Sequence, residues 1–150
     1  MSPLVHFLPL VRALPGDAAK LHRLDKSSNS DSWSVLQYQD AIATNYQVWF
    51  THNKCAVIVW MKAIDETELL RFFVIPSYQG QGIGYHLLAH ILETIKKSGI
   101  TQMFLEVRIS NAKAIRLYQR CGFVICGTRK NYYSTQTGGF ENAWLMKKLL

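Results

Sequence analysis

The strongest constraint in this sequence is a change of periodicity at Pro76. Upstream, Tyr46–Thr51, Cys55–Ile64 and Leu69–Ile75 are rich in aromatic and β-branched residues. The polar breaks Asn53-Lys54 and Asp65-Glu66 between them predict an antiparallel meander. Downstream, Ile83, Leu87, Leu88, Ile91, Leu92 and Ile95 share one side of a helical period and predict a long amphipathic helix. The junction, Pro76–Gly84, carries Gln79-Gly80-Gln81-Gly82-Ile83-Gly84. A strand that feeds a glycine loop, which then opens a helix, fits few architectures.

The rest of the chain extends this frame. Ser98-Gly99 closes the long helix, with Gly99 as its C-terminal cap. Thr101–Val107 reads as a strand, which completes one strand–helix–strand crossover. Ala112–Cys121 reads as a helix stopped by Gly122. Phe123–Thr128 and Ala143–Lys148 read as a final strand pair joined by a loop holding Thr137-Gly138-Gly139. At the start, Leu4–Val11 reads as extended. Pro15-Gly16-Asp17 then opens a helix with Ala18, Leu21 and Leu24 at helical spacing. Lys26–Ser32 is a polar connector, and Trp33–Ala43 a second short helix. The expected fold class is α/β in three α+β layers: a mixed, mostly antiparallel central sheet flanked by helices. A chain of 150 residues without linker or repeat predicts a single domain, 1–150.

Composition narrows the function classes. Hydrophobic residues make up 49% and charged residues 18%, which excludes a disordered chain. Cys55, Cys121 and Cys126 are odd in number and lack CxxC spacing, so neither a disulfide framework nor a zinc cage is expected. Reduced thiols point to a cytoplasmic protein. MSPLVHFLPL has no basic leader and contains Pro3, His6 and Pro9, so no secretory signal is expected. No apolar run is long enough to cross a bilayer. The net charge of +7 favours acidic partners, phosphate groups among them.

The glycine loop is built to approach an anion. Glycine tolerates positive φ and lets backbone come close to a ligand. The first amides of the following helix lack internal partners, and the helix dipole favours negative charge there. A Walker loop would need Lys-Ser/Thr after its glycine, and none follows. The dinucleotide fingerprint is met by Gly80 and Gly82 but has Tyr85 at its third glycine, although Glu106 stands where its ribose-binding acid would be. A third pattern, Gln/Arg-x-x-Gly-x-Gly/Ala, is met by Gln79, Gly82 and Gly84.

That third pattern belongs to the GCN5-related acetyltransferases. Leu105-Glu106-Val107-Arg108-Ile109-Ser110-Asn111 and the following Ala112–Phe123 resemble the second signature of the same superfamily. Pro76-x-Tyr78-Gln79, Arg129-Lys130-Asn131-Tyr132-Tyr133 and Ser32-Trp33-Ser34 add to the likeness, which runs from about residue 32 to the end. Within the superfamily the chain looks like the bacterial branch that acetylates the N-terminal alanine of a small-subunit ribosomal protein.

The resemblance implies acetyl-CoA as cofactor and a ribosomal protein N-terminus as substrate. Phe72, Phe73 and Val74 would pair with the pantetheine arm. Gln79, Gly80, Gln81, Gly82, Ile83, Gly84 and Tyr85 would hold the pyrophosphate. Asn111 and Tyr118 would contact the cofactor near its reactive end. Glu106 would be the general base and Tyr118 the general acid. Tyr132, Tyr133 and Glu141 would meet the peptide. It implies no metal, membrane or stable nucleic-acid partner, and a monomer is the default state.

The residues suit those roles. Strand alternation sets Glu106 on the face opposite Leu105 and Val107. An N-terminal amine has a pKa of about 7.7–8.0, so neutralising it at neutral pH costs about 1 kcal/mol. A lysine at about 10.4 would cost roughly 5 kcal/mol and ask far more of the base. Each residue also has a plainer reading. Glu106 can be a surface acid paired with Arg108, Tyr118 a core aromatic, and Asn111 the cap of its helix.

Other signals carry less. His86 and His90 stand four apart but lack the intervening glutamate of a zinc motif and sit with Glu93 and Lys97 on a polar face. Lys113, Arg116 and Arg120 form a basic stripe that suits a phosphate, ribosomal RNA or plain solvent. Cys121 has no histidine partner. The chain departs from the family at Gly80 and Tyr85, where arginines are usual, at Ile75 before Pro76, and at Gly139-Phe140-Glu141-Asn142-Ala143. The alternatives are the same chemistry on lysine or a small amine, and a non-catalytic module that binds acyl-CoA or RNA.

Overall fold

The structure is a computed structural model and describes residues 9–150. Most of the expected extended segment Leu4–Val11 lies outside the described residues. Its end enters β1 (Leu10–Arg12). The chain forms two compact bodies. The first runs to Lys62 and resumes over Leu69–Leu87, and the second comprises Ala63–Glu68 and Leu88–Leu150. The strand order is β1-β2-β3-β4-β5-β7-β6. Among the described residues no helix is long and apolar enough to cross a membrane.

In the first body, β2 (Gln47–Thr51) pairs antiparallel with both β1 and β3 (Ala56–Ala63), with Val48 opposite Val59. Strand β4 (Glu66–Val74) follows a turn at Ile64-Asp65, one residue before the expected break. Leu21, Tyr38, Val48, Phe50, Val57, Val59 and Phe73 form the core. Helix α1 (Ala18–Ser28) follows a 3-10 turn over Pro15–Asp17 and consumes part of the expected connector Lys26–Ser32. Helix α2 (Val35–Ala43) begins two residues later than expected, because Ser34 and Gln37 form a capping box. Gln37 N–H donates to Ser34 Oγ (3.1 Å), and Ser34 N–H to Gln37 Oε1 (2.8 Å).

The stripe that buries Ala18 and Leu21 also buries Asp25, fully removed from solvent. A buried carboxylate needs donors. Asp25 receives them from Arg71 Nε (2.8 Å) and Nη2, the Tyr38 hydroxyl (2.6 Å), the Asn29 amide (2.9 Å) and the Trp33 backbone N–H (3.1 Å). Burial, then the bond to Asp25, push the Tyr38 phenol well above its ordinary pKa.

In the second body, β5 (Gln102–Arg108) alternates as predicted, burying Met103, Leu105 and Val107. Helix α3 (Ile83–Lys97) leads into it and ends at Gly99, whose φ of +90° meets the expected cap geometry. Helix α4 (Ala112–Arg120) begins at Asn111, whose Oδ1 accepts Ala114 N–H (3.2 Å). The last two strands are longer than expected: β6 is Val124–Ser134 and β7 is Phe140–Leu149. Strand β7 lies between its two neighbours, with Leu145 opposite both Glu106 of β5 and Gly127 of β6. The β6–β7 register shifts twice, between Ile125 and Gly127 and between Arg129 and Tyr133. The irregular second stretch hides the strand from a period-two reading.

Candidate active site

The first body supplies the loop. Strand β4 ends in Phe72, Phe73 and Val74, and the Gln79 side-chain amide folds back to donate to the Val74 carbonyl (2.7 Å). That bond braces the turn after a 3-10 segment, Pro76–Tyr78. Gly80 (φ +77°) and Gly82 (φ +80°) both adopt the left-handed region, so glycine is required at both. Helix α3 starts at Ile83, and the Gly82 carbonyl accepts His86 N–H (3.1 Å). Ile83 is buried and anchors the first turn, in which Gly84 and Tyr85 follow. Gln81 is exposed. The amides of this turn have no partner inside the helix and suit an anion such as pyrophosphate.

The second body gathers a cluster of ionisable residues around Glu106. Glu106 projects from the face of β5 opposite Leu105 and Val107, its side chain 11% exposed. Its ion pair comes from another strand. Arg129 Nε, reaching across β7, stands 2.5 Å from Glu106 Oε1. The Tyr132 hydroxyl donates a second hydrogen bond to Glu106, and that bond pushes the phenol above its ordinary range. Arg129 lies over the Tyr132 ring at 5.6 Å, and Tyr132 meets Tyr133 edge-on at 4.9 Å.

Arg108 turns to Glu141 (2.9 Å) and the Ser134 carbonyl (3.0 Å), with its guanidinium 4.4 Å from the Tyr133 ring. Hydrogen bonds from Arg108 and Ser110 hold the Glu141 carboxyl below its ordinary pKa. Glu141, Tyr133 and Arg108 thus form one polar cluster.

Two members of the site stood in stretches that sequence reasoning marked, without a role of their own. Glu68, on β4, is pushed up by burial and by the like charge of Glu106, against the pull of Arg129. Its signal was the acidic run Asp65–Glu68, which reads as a turn. Arg129 sits in a recognised motif, but its pairing across an intervening strand has no local signature.

Asn111 keeps its capping role. Tyr118 is 8% exposed on α4, with its ring edge-on to Phe123 at 5.8 Å. Burial pushes the Cys121 thiol up, which disfavours a nucleophilic thiolate. Among the described residues no three His, Cys, Asp or Glu side chains group to hold a metal.

Residues 18–123 match the acetyltransferase (GNAT) family. The [Ribosomal protein bS18]-alanine N-acetyltransferase of Escherichia coli strain K12 is 34% identical over 133 residues, 87% of this chain and 89% of that protein. The crystal structure of the E. coli ribosomal-protein-S18-alanine N-acetyltransferase superposes with a TM-score of 0.86 at 30% identity, covering 94% of this chain and 92% of that one. Arabidopsis thaliana NAA60, solved in complex with acetyl-CoA, shares the fold with a TM-score of 0.80 at 14% identity, covering 95% and 98%. A mixed sheet flanked by helices, a glycine loop at a helix start and a carboxylate–tyrosine cluster are accounted for together: this chain is an acyltransferase and belongs to the acetyltransferase (GNAT) family.

Proposed function

We propose that the protein, working as one domain in the cytoplasm, acetylates the N-terminal alanine of a small-subunit ribosomal protein. The observation that carries this reading is the likeness to the bS18-alanine enzymes across 87% of the chain. The division into two bodies falls inside the continuous elements β4 and α3, which supports a single domain.

Acetyl-CoA supplies an activated thioester. The backbone of Phe72–Val74 and the amides of Gly80–Tyr85 suit its pantetheine and pyrophosphate, and Asn111 its reactive end. Glu106 accepts a proton from the α-ammonium, which frees the amine lone pair. The N–C bond would form as the C–S bond breaks, Tyr118 would give a proton to the departing thiolate, and the second proton shed by the amine nitrogen would restore the phenol. An amine with pKa of about 8 asks little of a carboxylate at neutral pH. Tyr132 and Tyr133 offer rings and hydroxyls to a peptide backbone, and Glu141 meets its basic residues. The stripe of Lys113, Arg116 and Arg120 needs no stable nucleic-acid partner.

The test is acetyl transfer to two peptides, one with a free N-terminal alanine and one N-terminally blocked with lysine only, read by mass spectrometry. Modification of the first alone is expected. Modification of the second, or of neither, would reject the substrate. The double variant Glu106→Gln, Tyr118→Phe is expected to bind acetyl-CoA without turnover, which excludes a pure binding module.

A further inference from the structure

In a regular strand, residues an odd number apart face opposite sides of the sheet. Arg129 and Tyr132 are three apart on β6, yet both engage Glu106. The irregularity in β6 resolves the conflict. Arg129 is opposite Ala143 and Tyr133 is opposite Glu141, so Lys130, Asn131 and Tyr132 all stand against the single residue Asn142. Within them Asn131 adopts a left-handed backbone, φ +51°.

One side chain secures this bulge. Asn142 Oδ1 accepts Asn131 N–H at 3.0 Å. The Asn142 carbonyl also accepts Ile109 N–H at 3.2 Å, at the exit of β5 that leads to Asn111. A single residue of β7 therefore ties the bulge that carries Arg129 and Tyr132 to the end of the strand that carries Glu106.

We propose that Asn142 is a positioning residue, whose side chain holds the β6 bulge so that Arg129 and Tyr132 converge on Glu106. The role rests on the reading of Glu106 as the general base. With the bulge secured, Glu106 has one guanidinium and one phenol fixing its orientation toward an incoming amine. With it lost, the strand relaxes toward regular pairing and Tyr132 rotates to the other face. Glu68 from β4 also faces Glu106 and bears on its charge.

The experiment compares Asn142→Ala with Asn142→Asp, which keeps an acceptor for Asn131 N–H. Three quantities are read: steady-state kinetics, thermal midpoint, and Tyr132 titration by NMR of ring-labelled tyrosine, assigned with Tyr132→Phe. Asn142→Ala is expected to lower kcat about tenfold or more with KM for acetyl-CoA unchanged. It should also bring the Tyr132 phenol down toward its ordinary value of 10.0. Asn142→Asp is expected to restore both. Should Asn142→Ala fold poorly, Asn131→Val strains the left-handed residue directly and is expected to move the same titration. An unmoved Tyr132 titration in the folded variants, or an Asp variant as impaired as Ala, overturns the proposal. The titration does not depend on turnover, so it decides the positioning role even if Glu106→Gln shows that Glu106 is not the base.

Discussion

The molecule contains the same three side-chain chemistries twice, once in each body. Asp25, Arg71 and Tyr38 meet in the first, and Glu106, Arg129 and Tyr132 in the second. The surroundings differ. Asp25 is 0% exposed, and Arg71 retains 14% side-chain exposure. Five hydrogen bonds reach the Asp25 carboxylate, which offers about four lone-pair sites. It has no capacity for another ligand. Glu106 sits under an Arg129 side chain that is 55% exposed and a Tyr132 that is 49% exposed. A saturated, sealed triad can only hold elements together. An open one can exchange a partner for substrate.

The largest test of this contrast removes the sealed carboxylate. Asp25→Ala takes the buried counter-ion from Arg71, leaving only the more exposed Asp31 at 3.6 Å, and is expected to cost about 3–5 kcal/mol in urea unfolding. A loss under 1 kcal/mol would mean that the triad is not a structural lock. The matching change in the open triad, Glu106→Gln, is expected to lower kcat roughly a hundredfold or more while the thermal midpoint barely moves. A variant that keeps full turnover would end the parallel between openness and catalysis. Arg129→Gln ranks third. The Arg129 side chain is more than half exposed, so about 0–1 kcal/mol of stability is expected from it, against a severalfold fall in kcat that narrows as salt is raised.

The smallest effect concerns Glu68, whose carboxyl is raised in the folded protein. A raised carboxyl makes folding least favourable where it is ionised. Glu68→Gln is therefore expected to stabilise the protein slightly at neutral pH. The gain should fade as pH falls through the raised folded value and be gone below the ordinary carboxylate value of 4.5. A gain that persists in acid would mean that the ionised carboxyl is not its source.

What could be read from sequence follows the range of the interaction that creates it. The crossover, α3 and its Gly99 cap depend on local spacing and were legible. So was the alternation that turns Glu106 away from Leu105 and Val107. The start of α2 was misplaced by two residues because the capping box at Ser34 outweighs the aromatic Trp33. Asp25 was readable in principle, since it continues the stripe of Ala18 and Leu21. Its five donors were not, because they come from four separate residues up to 46 positions away. The ion-pair partner of Glu106 comes from β6, across β7, and no spacing near Glu106 announces it. Pairings through an intervening strand exist only once the sheet is assembled.

The order β5-β7-β6 also sets a timetable for synthesis. Of the seven strands, the one made last lies between two made earlier. Until Phe140–Leu149 leaves the ribosome, β6 has no neighbour in the sheet and β5 lacks the one on its β7 side. The first body can gather its core while translation continues, but the second must wait. The nascent chain meanwhile exposes unpaired backbone on both waiting strands, a template for pairing with other chains. A ribosome stalled shortly before residue 140 would hold the second body open, with Glu106 already translated but β7 not yet beside it.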